Sequence, residues 1–215
     1  MCDIPLAYHL FSAINANLKV VFVGDTNQLP SIGPGNVLKD MISSGIIPTT
    51  ELKENFRQSD DGVIIPLAKK ITEGELPELN DGPDFVFKKI TDEETALEEI
   101  MAVFRSLGRK FNIFNIQVIS PIKNGLLGVN NLNKEIRACI NPAVRSKPSI
   151  GPFRLGDKVM VIKNNYDKEV FNGEFGQVTE VNAKSSLDVK IYESGRVVNF
   201  KTDELNYLRH AYACT

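Results

Sequence analysis

The sequence predicts an α/β chain with a largely parallel sheet, carrying a small antiparallel β-barrel near its end. Three observations predict it. Strand-like apolar runs alternate with segments of helical period from residue 5 to residue 142, the grammar of a parallel α/β layer. After Pro148 the pattern changes to short alternating strands punctuated by Gly156-Asp157, Asn172-Gly173 and Ser194-Gly195 turns. The composition, 42% hydrophobic and 24% charged over 215 residues, supplies a core for one large domain or two small ones.

Each element follows from its own residues. PLAYHLFSAI (5–14) places apolar residues at helical spacing. LKVVFVG (18–24) reads as a buried strand, because a nearly continuous β-branched run needs cover on both faces. GNVLKDMISSG (35–45) reads as a helix that ends at Gly45. GVIIPLAKKITEG (62–74) is a further helix, kinked or started at Pro66. DFVFKKI (84–90) is predicted to be a strand. DEETALEEIMAVFRSLG (92–108) is a long helix with acids in its first turns, where they favour the macrodipole. NIQVISP (115–121) is another buried strand, and GVNNLNKEIRACINP (128–142) is a helix that stops before Pro142. FRLGDKVMVIKNNY (153–166), GEFGQVTEVNA (173–183), LDVKIYES (187–194) and RVVNFKTDEL (196–205) are the barrel strands. NYLRHAYACT (206–215) returns to a mixed strand pattern, which makes the barrel look inserted.

Charge is unevenly spread. The net charge is −2, yet residues 51–101 hold 14 acids and 6 bases, while residues 102–150 hold 8 bases and Glu135 as the one acid. That stretch offers either a solvated helical surface or a basic surface for a polyanion. The 3 cysteines, Cys2, Cys139 and Cys214, are far apart and form neither a metal spacing nor a disulfide framework, which suits a reduced cytosol. His9 and His210 are equally isolated and read as structural. No metal site is expected from the residues. No apolar run approaches membrane-spanning length, so a cytoplasmic chain without a membrane partner is expected.

The chemistry-bearing stretch is VFVGDTNQLPSIGPGNV (21–37). Ligands of parallel α/β sheets bind at the C-terminal ends of strands, and Asp25 and Gln28 follow such a predicted strand directly. An Asp there orients a loop or a water on a metal. A Gln donates to a phosphate oxygen or positions a water without carrying charge. The alternative is a plain turn capped by Asp25, with Gln28 in solvent. In ELKENFRQSD (51–60), the Arg57 guanidinium offers a planar fork of donors suited to a transferring phosphoryl group. The alternative is a surface arginine paired with Glu54 or Asp60.

Taken together, VFVGDTNQLPSIGPGNVL, LKENFRQ, QVISPIKNGLLGVNNLN, DKVMVIKNNYDKEVFNGEFGQV and LRHAYACT resemble the RecD-like branch of superfamily 1 DNA helicases, in the right order over essentially the whole chain. That family, which includes the alpha subunit of exodeoxyribonuclease V, consists of ATP-driven 5′→3′ translocases. The resemblance implies partial RecA-like (P-loop NTPase-type) domains. Residues 1–50 would end the first, residues 51–150 and 206–215 would belong to the second, and residues 151–205 would be an inserted SH3-like barrel. Gln28 would sense the γ-phosphate, Asp25 would support its loop, and Arg57 would act as an arginine finger across the interdomain cleft.

On the nucleic-acid side, Lys123, Asn124 and Gly125 in SPIKNGLLG (120–128) would meet phosphates of single-stranded DNA, unless they are simply a glycine turn. Lys163, Asn164 and Asn172 of the barrel would join them. The barrel's charges balance, so it is expected to bind weakly alone. Tyr166 and Phe171 are expected in the barrel core rather than stacked on a base. The family's phosphate-binding glycine loop, Asp-Glu metal pair and His-Lys-Ser-Gln-Gly motif have no counterpart here, and no GxxxxGK[ST] pattern occurs. The chain is therefore expected to be an internal fragment, without tight binding of its own for the ATP and Mg²⁺ of its parent. The competing reading is a non-catalytic DNA-binding or protein-interaction module on a helicase-derived scaffold. Subunits of a recombination complex are the further partners the resemblance implies, with roles in recombination and repair.

Overall fold

The computed structural model describes residues 2–52, 62–144, 146–182 and 184–215. The chain divides into two compact units, Met1–Lys88 and Lys89–Thr215.

In the first unit, helix α1 spans Ile4–Ala13. Its start is fixed by Asp3, whose carboxylate accepts from the Leu6 amide at 2.9 Å, and by Pro5 in the first turn. Helices α2, Val37–Ser43, and α3, Ile64–Thr72, follow. Pro66 lies in the first turn of α3, where its missing N–H costs nothing, so it starts the helix rather than kinking it.

The strand expected over residues 18–24 is absent. Val21 and Val23 are 83% and 92% exposed, and no backbone ladder forms on this segment among the described residues. β-Branched residues supply propensity, but a strand exists only where a neighbour accepts its hydrogen bonds. The strand expected over 84–90 is likewise reduced to a single bridge between Gly82 and Phe85. Here local acids compete with a ladder: Asp81 accepts from the Phe87 amide at 2.9 Å, and Asp84 from the Val63 amide at 2.8 Å.

In the second unit, helix α4 spans Glu93–Lys110 and is capped by Asp92, which takes the Thr95 amide at 2.8 Å and its hydroxyl at 2.6 Å. These hydrogen bonds hold the Asp92 carboxyl below its usual range. Strand β1 is Val118–Ile119 and helix α5 is Val129–Ile140. Met101 and Phe104 of α4 meet Leu132 and Ile136 of α5 and the buried Tyr212 in one core.

The antiparallel part comprises β2 (Ser149–Ile150), β3 (Phe153–Arg154), β4 (Lys158–Val161), β5 (Phe175–Asn182), β6 (Ser186–Ile191), β7 (Val197–Lys201) and β8 (Leu208–His210). Five of these form a sheet in the order β7-β6-β5-β4-β8. A 3₁₀ helix, Thr202–Tyr207, joins its two edges, and Phe200 of β7 and Leu208 of β8 enter the same core as Val159, Val189 and Ile191. The sheet is therefore curled into a small barrel, helped by a bulge in β5 between Val178 and Glu180. Gly173, at φ +98°, makes the turn that the Asn-Gly pair predicted.

The last segment is shared. Strand β8 pairs with β4, and the following β9, Ala213–Cys214, runs parallel to β1. Among the described residues this is the one parallel strand pair. The buried Asn133 side chain of α5 completes its edge, donating to the Ala213 carbonyl at 2.8 Å and accepting from its amide at 3.0 Å. Among the described residues no helix is long and apolar enough to cross a membrane.

Candidate functional site

The residues singled out from the sequence fall in three places. The first is the Asp25–Gln28 turn. One Asp25 oxygen accepts from the Asn27 amide at 2.9 Å, and the other from the Gln28 side-chain amide at 3.3 Å. The Gln28 backbone N–H returns to the Asp25 carbonyl at 3.4 Å. Both residues help line a cavity of about 240 Å³ with Thr26, Pro30, Asn36 and Leu38. A carboxylate spent on its own turn leaves the amide oxygen of Gln28 and one of its N–H groups for something else. Arg57 lies outside the described residues.

The second place is the loop between β1 and α5. Gly125 adopts φ +93°, reserved for glycine in practice, and its carbonyl accepts from Gly128 N–H at 3.1 Å. The buried Ser120 hydroxyl donates to the Leu127 carbonyl at 2.7 Å, and Asn130 donates to the Asn124 side-chain oxygen at 2.8 Å. The loop is thus pinned at both ends while the Lys123 side chain stays exposed. Gly128 is needed for space: a Cβ there lies 2.5 Å from the backbone carbon and oxygen of Asn124. Gly128→Ala is expected to cost about 1–3 kcal/mol through the forced backbone shift, read as a lower denaturant midpoint with unchanged slope.

The third place is the β4–β5 connection of the barrel. Asn164 accepts from the Asn172 amide at 2.8 Å, and the Lys163 ammonium stands 5.5 Å from the Tyr207 ring centre. Lys163, Asn164 and Asn172 are all exposed. The expectation that Tyr166 and Phe171 are core residues is overturned. They are 75% and 45% exposed and meet edge-to-face at 6.1 Å. Val170, between them in the chain, fills the core instead. Backbone bonds between Asn165 and Val170 turn the intervening residues outward, and residue counting alone does not reveal that.

A fourth cluster was not foreseen. Asp157 was read only as a turn residue, yet its side chain is fully buried. It receives Arg137 through two bonds of 2.9 and 2.7 Å, Asn141 at 2.8 Å, the Arg154 amide at 2.9 Å and the Tyr212 hydroxyl at 3.2 Å. The His210 ring nitrogen lies 3.2 Å away. Burial pushes this carboxyl up, but the bonds from His210, Arg137, Arg154 and Asn141 outweigh it and hold it at about 2. Burial and the neighbouring carboxylate push the Tyr212 hydroxyl the other way, well above its usual range. Beside it, the buried Lys158 ammonium donates to the Ile116 carbonyl at 2.9 Å and to the Gln117 side chain at 3.1 Å. Burial lowers its pKa. The sequence signal for this cluster was a lone Asp-Lys pair opening an apolar strand. Its partners lie on α5, β3, β8 and near β9.

Among the described residues no group of three His, Cys, Asp or Glu side chains could hold a metal ion.

A family model described as the SH3 domain of ATP-dependent RecD-like DNA helicases matches residues 132–191. A second, described as an AAA domain, matches residues 1–82. The fold and these matches define an α/β chain bearing an SH3-like barrel of the helicase type. Among curated proteins, the ATP-dependent RecD2 DNA helicase of Deinococcus radiodurans is 30% identical over 98% of this chain and 28% of its own length. The RecBCD enzyme subunit RecD of Mycolicibacterium smegmatis is 24% identical over 94% of this chain and 39% of its own. The chain belongs to the RecD-like helicase family. It spans 28% and 39% of the length of these two curated relatives. A crystal structure of Bacteroides sp Pif1 in complex with ADP-AlF4 aligns over 89% of this chain and 51% of that one, at 16% identity and a TM-score of 0.37, too low to bear on the fold.

Proposed function

We propose that this chain is the central part of an ATP-dependent 5′→3′ DNA helicase acting in recombination and repair, and that it is inactive by itself. The observation that carries the reading is the Asp25–Gln28 turn. Within the segment that matches the AAA model, a self-braced carboxylate holds a neutral amide at the rim of a cavity. Gln28 senses the γ-phosphate, and Arg57 stabilises its charge during transfer. Contacts that exist only while that phosphate is present bias the protein toward one conformation by differential affinity. Hydrolysis removes them, and a changing grip on single-stranded DNA becomes movement along it.

Two surfaces supply that grip. Lys123, Asn124 and Gly125 contact phosphates from the pinned loop. Lys163, Asn164 and Asn172 contact the strand from the barrel, where the exposed Tyr166–Phe171 pair offers an aromatic platform for a base.

The test compares this chain with the longer protein that contains it. Isothermal titration of the chain with ATP and Mg²⁺ is expected to show nothing tighter than about millimolar, because no phosphate loop is present. The longer protein is expected to hydrolyse ATP slowly until oligo-dT is added. A micromolar ATP site on the chain alone refutes its inactivity, and a longer protein without DNA-stimulated turnover refutes the motor.

A further inference from the structure

A cavity of about 330 Å³ opens beside helix α5, lined by Lys134, Arg137, Arg154 and His210 and by no carboxylate. The Asp157 carboxylate that two of these side chains contact is fully buried and faces Arg137, His210 and Tyr212 rather than solvent. It can neutralise one cation. The groove keeps an excess of positive charge.

Its hydrogen-bonding capacity is equally one-sided. Arg137 spends Nε and Nη2 on Asp157, and its Nη1 meets no acceptor among the described residues. Arg154 spends Nη1 on the Asn141 carbonyl at 2.7 Å, and its Nη2 meets none among the described residues. Lys134 is exposed and forms no ion pair among the described residues, so unlike Arg137 it ties nothing together. A smaller hollow of about 200 Å³ shares Arg137 and Arg154 and adds Lys147. Arg137 is held in place by the buried carboxylate, which preorganises its free edge. A cavity offering several free donors, several cations and no acceptor charge suits an anion, and tetrahedral oxyanions match a guanidinium fork best.

We propose that this groove binds a phosphate group, and that it extends the phosphate contact of the Lys123–Gly125 loop along α5. The second half rests on the DNA reading above. The link between them is Asn130, which lines the groove and also holds Asn124.

Two arms test it on the chain as it stands. In the first, a labelled oligo-dT is bound across a salt series to the wild type and to Lys134→Gln/Arg154→Gln. Each lost phosphate contact reduces the slope of log affinity against log salt by about 0.7, so the double variant should lose about 1.4. Lys123→Gln serves as the control on the loop. In the second arm, inorganic phosphate is titrated while the amide signals of Ala138 and Ala143, both in the groove lining, are followed by NMR.

A reduced slope in the double variant assigns the groove to nucleic-acid backbone. An unchanged slope, with phosphate shifting Ala138 and Ala143 in the wild type but not in the variant, assigns it to a free phosphate compound. If neither effect appears, the proposal is overturned, and if Lys123→Gln still reduces the slope the DNA reading survives that failure. If oligo-dT does not bind at all, the DNA reading fails and the phosphate arm alone decides the groove. Lys134→Gln by itself breaks no contact among the described residues, so it keeps both arms readable if the double variant misfolds.

Discussion

Asp157→Ala is expected to destabilise the Lys89–Thr215 unit by about 3–5 kcal/mol, the usual cost of removing one partner from a buried ion pair. The carboxylate is fully buried, and the Arg137 side chain that it holds is 15% exposed. Without it, a guanidinium, the Asn141 amide, the Arg154 N–H and the Tyr212 hydroxyl lose their acceptor together. Replacing both partners, as in Arg137→Met with Asp157→Leu, should recover only the part due to the unpaired guanidinium, because the Asn141, Arg154 and Tyr212 donors still lack their acceptor. Chemical denaturation followed by circular dichroism measures both.

The same residue sets an acid limit. Its folded pKa, about 2, lies below the ordinary 3.8, so its contribution is complete above about pH 4 and is lost as pH falls toward 2. A shift of that size corresponds to roughly 2 kcal/mol. Other carboxylates also titrate in that window, so the quantity to read is the difference between wild type and Asp157→Ala. It should shrink by that amount between pH 5 and pH 2. A difference that stays constant over this range would remove Asp157 from the acid transition.

In the longer protein, Arg57→Ala is expected to lower ATP turnover by about 10³–10⁵, the range for losing an arginine finger. On the proposed finger role ATP affinity should change little, because a finger acts on charge that develops in the transition state rather than on bound nucleotide. Gln28→Ala, which removes a contact to the bound nucleotide on the proposed reading, should weaken ATP affinity modestly as well as lowering the turnover that DNA stimulates. Steady-state kinetics with and without oligo-dT separate the two effects. If Arg57→Ala instead raises KM with kcat unchanged, Arg57 contributes ground-state binding and is not a finger.

Legibility followed the range of the interactions. The five α-helices among the described residues were readable because their determinants are local. Asp92 caps α4 from three residues away, and Pro66 and Gly45 mark ends within one turn. The barrel strands were readable because Val178, Leu187, Val189 and Ile191 alternate with polar residues on a sheet with one buried face. Residues 18–24 failed the same test because β-branched character says nothing about who accepts the hydrogen bonds. Tyr166 and Phe171 failed because Val170 took the inward position that aromatic size suggested for them.

Sequence alone determined the family, the α/β-with-barrel class and the residue types at the candidate sites, since each is written in motifs a few residues long. Tertiary structure decided which of those residues meet. It gathered Arg137, Asn141, Arg154, His210 and Tyr212, spread over 76 positions, onto Asp157. A buried charge collects every donor that the fold brings near it, and which donors those are depends on topology rather than on neighbours in the chain.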